Sequence, residues 1–191
     1  MGTERETFDE IVRGIRGGDE PLREAVAEEL RKLTVPRGTG AVPPKPAAGW
    51  HVIRVELMSG MAGELEPPPG RDLLVSPQHT FRQLAEAING AFARWDLGHL
   101  YVFHFADGTT IGTAFEELPF RDAARTKVGR RDEGEVFEYE FDLGDSWMLR
   151  CTVLETEVDA EDAYGARPKG PVAVWGWGSI PDQYGRTTPE G

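Results

Sequence analysis

The sequence predicts an α+β fold, and three runs of residues carry that expectation. Phe137, Tyr139, Phe141 and Leu143 alternate with Glu138, Glu140 and Asp142, as in a strand with one wet face. Phe81, Leu84, Ala85, Ile88 and Phe92 recur at the spacing of a helix with one buried stripe. Far upstream, Ile53, Val55 and Leu57 alternate with Arg54 and Glu56. With 39% apolar residues and nine Phe, five Trp and four Tyr, the chain has enough bulk for a packed core. Its 191 residues suit one domain plus an appendage.

The appendage comes first. Thr3 and Glu6 have capping-box spacing, and Phe8, Ile11, Val12 and Ile15 form a helical stripe that Gly17-Gly18 stops. Asp19 caps a second helix with Pro21 in its first turn and Leu22, Val26, Leu30 and Leu33 on one side. Residues 1–34 thus read as a helical hairpin, which needs a surface to dock on because two short stripes cannot bury themselves. Val35 to Gly49 holds four prolines and three glycines without apolar periodicity, so 35–49 reads as a semi-rigid linker and 50–191 as the main domain.

Within that domain Trp50–Leu57 is expected to be a half-buried strand, and a Pro67–Gly70 turn leads into a second, Arg71–Val75. Ser76 or Thr80 then caps the helix over Phe81–Phe92. Leu100–Ala106 reads as a strand ending at the Asp107-Gly108 turn, followed by an irregular connection from Thr113 to Gly134. The alternating strand ending at Leu143 and the next one, carrying Trp147, Leu149, Cys151 and Val153, form a hairpin. Opposed residues share a face, so the expected register sets Phe141 against Leu149 and Tyr139 against Cys151, with a three-residue loop, Gly144–Ser146. Glu155–Asp162 is expected to be a solvated loop and Val172–Trp175 a last short strand. The tail from Trp175 to Arg186 mixes glycines with large rings, which suggests an irregular segment with its rings packed inward.

A net charge of −12 repels phosphate backbones and anionic lipid, so nucleic acid and membrane surfaces are disfavoured as partners. The one basic run, Arg121, Arg125, Lys127, Arg130 and Arg131, is interleaved with Asp122 and Asp132 and reads as a solvated face. A lone cysteine, Cys151, an N-terminus without an apolar signal core and the lack of any stretch near membrane-spanning length all fit a cytoplasmic protein.

Three stretches together resemble the plasmid Orf-three-like family, whose members also carry the labels insertion-element passenger and TnpR. They are Pro67–Val75 with its helix up to Trp95-Asp-Leu-Gly-His-Leu-Tyr-Val-Phe103, the hairpin Phe137–Trp147, and the tail Gly176–Gly185. The resemblance spans residues 50 to 186. It implies a curled, mainly antiparallel sheet with a packed helix, a setting among mobile elements, and no settled activity. Relatives carry a histidine two residues after the hairpin tryptophan, where this chain has Leu149.

The candidate ligand-binding residues are Trp95, His99, Asp142, Asp145, Trp147, Trp177, Asp182 and Tyr184. Asp142, Asp145, Asp182 and His99 are the types that bind a divalent metal or move protons, if the fold unites them. Aspartate at a Gly-Asp turn more often bonds its own backbone, and His99 and His104, five apart, would face opposite sides of one strand. Trp95, Trp147, Trp175 and Trp177 could line a groove, although core packing is the commoner fate. Cys151, on the apolar face, reads as an inert buried thiol. No nucleophile elbow, Walker loop or dinucleotide fingerprint occurs, and a resolvase would need an arginine-lined serine and a basic DNA-reading helix that the sequence lacks. The leading expectation is a non-catalytic binding or interaction module without a cofactor, acting on a protein or small ligand. A metal-assisted hydrolase using Asp142, Asp145 and Asp182 is the alternative, and a DNA transaction ranks last.

Overall fold

The computed structural model describes residues 49–61, 63–114 and 119–186. The expected helical hairpin over 1–34 and all of the linker before Gly49 lie outside the described residues. The elements are β1 (Trp50–Gly60), β2 (Gly63–Glu64), β3 (Gly70–Val75), α1 (Phe81–Ala91), β4 (Tyr101–Phe105), β5 (Thr110–Gly112), β6 (Arg121–Asp122), β7 (Val136–Phe141), β8 (Trp147–Val158), α2 (Ala160–Tyr164) and β9 (Val172–Trp177). The strands form one open, curled sheet in the order β6-β5-β4-β7-β8-β1-β3-β9, with β2 folded onto β1. Neighbours are antiparallel except β5 and β6, so the sheet is mixed but mainly antiparallel.

Side-chain parity builds the core. Ile53, Val55 and Leu57 on β1 oppose Val153, Cys151 and Leu149 on β8; across β8's other flank lie Phe137, Tyr139 and Phe141 of β7, and beyond them Phe105, Phe103 and Tyr101 of β4. Every row therefore shares one face, and α1 covers it. Thr80 is the helix cap, its hydroxyl accepting the Gln83 N–H at 3.2 Å while the Gln83 side chain accepts the Thr80 N–H at 2.9 Å. The stripe from Phe81 to Phe92 is buried as its spacing requires, and the Phe81 ring meets Phe103 at 5.0 Å and Phe105 at 5.7 Å. On the opposite face Trp50, Leu74 and Ala160 make a second, smaller cluster beneath α2.

One polar tie crosses the main core. Tyr139 is fully buried and donates its hydroxyl to Asn89 Oδ1 on α1 at 2.9 Å, and burial pushes its phenol well above the ordinary range. Tyr139→Phe strands the Asn89 carbonyl in an apolar setting, so it should cost about 1–2 kcal/mol, read from the urea midpoint. Asn89→Leu added to it should recover part of that loss, because no polar atom is then left unpaired.

Four sequence expectations need correction. The β7–β8 register is displaced by one pair: Phe141 faces Trp147, Tyr139 faces Leu149 and Phe137 faces Cys151. The parity holds but the loop has five residues, because Asp142 leaves the strand at φ 58° and Ser146 re-enters at φ 50° with its N–H on the Asp142 carbonyl. Glu155–Asp162 is not a loop. β8 continues to Val158, paired to β1 through two register shifts that keep Glu155 and Glu157 in water, and Asp159 then caps α2. Arg131 is not on a solvated face, since it donates to the Val128 carbonyl and to Glu135 and lies over the Phe81 and Phe105 rings. Nor do all the tail rings point inward, for Trp175 is 51% exposed on the edge strand β9. Cys151 is buried as expected, and burial drives its thiol far up.

His79, in the turn before α1, is buried against the edge of the Trp50 ring and accepts the Ser76 N–H through Nδ1 at 3.1 Å. Burial holds its imidazole below the ordinary value. A base with a lowered folded pKa contributes stability in full above its unfolded value of about 6.5, and that contribution is lost as pH falls through the folded value. The urea midpoint should therefore decline from pH 7 downward, and His79→Gln should flatten that decline.

Candidate functional site

Three segments meet beyond the end of α1: residues 92–99, the β7–β8 loop 142–146, and the tail 181–186. What joins them is side-chain chemistry. Gln183, fully buried, accepts the backbone N–H of Trp95 at 3.0 Å and of Asp96 at 3.1 Å, and donates to the Asp96 carbonyl at 3.1 Å. Arg94, also buried, donates to the Phe92 and Pro181 carbonyls at 2.8 and 2.6 Å while its guanidinium lies 4.1 Å from the Trp147 ring centre. Burial lowers the Arg94 pKa and the nearby Asp182 opposes that shift. The Trp147 ring also lies against Gly60, where a Cβ would overlap it.

Over this base runs a chain of ionisable groups. His99 Nδ1 lies 3.0 Å from Asp142 Oδ2, and Asp142 Oδ1 accepts the Gly144 N–H at 3.1 Å. His99 Nε2 lies 3.0 Å from the Tyr184 hydroxyl, which donates to Asp96 Oδ2 at 2.8 Å. The Tyr184 hydrogen bond, with a second from the Gly98 N–H, draws the Asp96 carboxyl below its usual range. Reciprocally, Asp96 is the main cause that pushes Tyr184 up to about 12.

Asp182 sits beside this chain. Arg186 grips it through two nitrogens at 3.1 and 3.0 Å and holds its carboxyl far below the usual range. Arg186 also lies 4.5 Å from the Trp95 ring centre, and Trp95 meets Tyr184 edge-on at 5.2 Å. An open cavity of 480 Å³ adjoins His99, bounded by Leu97, Arg82, Tyr101 and Asp122.

Of the sequence-predicted residues, Trp95, His99, Asp142, Asp182 and Tyr184 come together. Asp145, on the loop, makes no hydrogen bond or ion pair among the described residues and acts on Tyr184 through charge alone. Trp147 lies beneath the site, in the core. Trp177 does not join it: its indole N–H donates to the Pro68 carbonyl at 3.0 Å and its ring lies under Arg54. His104 is apart too, bonded to Glu140 at 3.0 Å. The turn carboxylate Asp142 does bond its own loop, as expected, but spans to His99 as well. Arg94, Asp96, Gln183 and Arg186 were not read from the sequence, although Asp96 stands in an Asp-Leu-Gly-His run. Among the described residues no group of three or more His, Cys, Asp or Glu is placed to hold a metal ion, and no helix is long and apolar enough to cross a membrane.

All three of these segments fall within or beside one stretch of recognisable sequence. The sequence profile of the plasmid pRiA4b ORF-3-like protein matches residues 51–181, more than half of the chain. The chain belongs to that family. Leu149, standing where the resemblance sets a histidine, is buried on the core face of this ORF-3-like domain. The domain is similar to the crystal structure of a protein of unknown function, MM3350 from Methanosarcina mazei Go1, with a TM-score of 0.51 and 19% identity over 66% of this chain and 68% of that one. That likeness is one of fold. No curated protein matches the ORF-3-like chain.

Proposed function

We propose that the domain is a non-catalytic binding module whose binding face is the rim where residues 92–99, 142–146 and 181–186 meet. One observation carries this reading. The polar side chains of the rim engage one another, Asp182 with Arg186, Asp142 with His99 and Tyr184 with Asp96, while Trp95 and Leu97 stand 52% and 59% exposed. Large apolar groups turned outward over a polar base are what a contact surface needs. The adjoining cavity is of the size that takes a small ligand or one inserted side chain. A reducing, cytoplasmic setting suits the buried free thiol of Cys151.

A protein-observed NMR screen with fragments and short peptides tests it. Shifts should gather at Trp95, Leu97, Gly98, His99 and Tyr184, and Trp95→Ser with Leu97→Ser should abolish them. Shifts scattered elsewhere, or unchanged in that double variant, would sink the proposal.

A hydrolytic reading draws on the Asp142–His99 pair, since a buried carboxylate that orients an imidazole is how general-base catalysis is commonly arranged. Its metal-assisted form also needs Asp145 and Asp182, and the latter is bound to Arg186. Ester and phosphoester hydrolysis with added Mg²⁺, Mn²⁺ or Zn²⁺ should then fall to background in His99→Ala. Equal turnover in wild type and variant removes this alternative.

A further inference from the structure

Arg186 lies on a receptor that the rest of the rim builds without its side chain. Its Nε and one terminal nitrogen meet the two Asp182 oxygens at 3.1 and 3.0 Å, and its Cζ stands 4.5 Å from the Trp95 ring centre. A planar fork on a carboxylate, stacked on an indole, selects guanidinium over ammonium. Asp182 is oriented independently, because its Oδ1 also accepts the backbone N–H of Tyr184 at 3.0 Å and of Arg186 at 3.1 Å. Trp95 is fixed from behind by Gln183 on its backbone and by the Tyr184 edge on its ring.

The guest is the exposed member of the pair. The Arg186 side chain is 62% exposed against 26% for Asp182. Exposed pairs of this kind contribute little to stability, so exchanging one guanidinium for another is nearly neutral. Asp145, without an ion-pair partner among the described residues, and a net charge of −12 add an attractive field for cations.

We infer that Trp95 and Asp182 form an arginine-recognition station, filled in cis by Arg186 and open to an arginine side chain presented by a basic segment of a partner protein. The inference rests on the binding-face reading above and gives that face its ligand chemistry. A partner arginine displaces Arg186, which frees the tail end to move while Asp182 keeps its backbone hydrogen bond from Tyr184.

Arg186→Ala empties the station by removing only an exposed side chain. Nα-acetyl-arginine amide titrated into this variant should shift the Trp95 indole N–H saturably and leave the other four tryptophans in place. Its apparent Kd should be about three- to tenfold lower than for wild type, the size of one exposed stacked ion pair. Nα-acetyl-lysine amide should bind more weakly, and adding Asp182→Asn should remove the preference for arginine. Equal binding to wild type and Arg186→Ala, or equal binding of the two probes, overturns the inference, and neither comparison depends on the Asn variant folding. If the arginine probe fails while fragments still shift Leu97 and His99, the station falls and the binding face stands. If nothing shifts that face, both fall.

Discussion

Trp147→Ala should lower the unfolding free energy by about 3–5 kcal/mol, the range for deleting a large buried ring. The loss comes from two contacts of the indole. The Gly60 backbone loses the ring that lies against it, and the buried Arg94 guanidinium loses the surface it lies on at 4.1 Å. Arg94 would then either admit water or withdraw from the Phe92 and Pro181 carbonyls, which loosens the tail. Urea denaturation gives the magnitude, and amide exchange at residues 181–186 reports the second effect. Trp147→Phe keeps a ring in place and should cost less than half as much. A cost under about 1 kcal/mol for the alanine variant would mean that the ring does not bear on the core as described.

Gln183→Ala should cost about 2–4 kcal/mol, most of it from lost hydrogen bonds rather than lost apolar packing. Its amide satisfies the Trp95 and Asp96 N–H groups and the Asp96 carbonyl, and without it these part-buried backbone groups lose that partner. Leaving such groups unmet is worse than losing the bonds alone. The tail should detach as a unit, seen as new proteolytic cleavage between Gly178 and Arg186 ahead of global unfolding. Gln183→Glu is the informative contrast, because it keeps the acceptor but cannot donate to the Asp96 carbonyl. It should fall between alanine and wild type, and less so at low pH where the added carboxyl can be neutral.

The sheet was legible because its signal is periodic. Alternation at Phe137–Phe141 and at Ile53–Leu57, together with the spacing of Phe81 to Phe92, reflects which side faces the core, and burial enforces it residue by residue. The hairpin register was not legible, because it turned on the left-handed backbone of Asp142 and Ser146, two residues with no sequence mark that demands it. The extension of β8 through Glu155 was hidden by its exposed acids, which only a bulged pairing with β1 makes compatible with a strand. For the site, the aspartates, histidine and rings could be named from type and motif. Gln183 and Arg94 could not, since neither is a reactive residue and their role lies in backbone groups some 87 positions away. Trp177 was misassigned to the site for a related reason: its neighbours in sequence are the tail, but its neighbours in space are Pro68 and Arg54.

The central position of β1 has a consequence for how the chain comes to be folded. Its two flanks are β3, made soon after it, and β8, whose Val158 pairs with Trp50. During synthesis β1 and β3 can zip up early, yet they expose an unsatisfied apolar edge until β8, which begins at Trp147 long after β3 ends at Val75, emerges to close it. No N-terminal fragment ending before β8 is therefore self-sufficient. Nascent chains of this domain should depend on holding chaperones through most of translation, and a permuted chain that begins at β7 would relieve that wait.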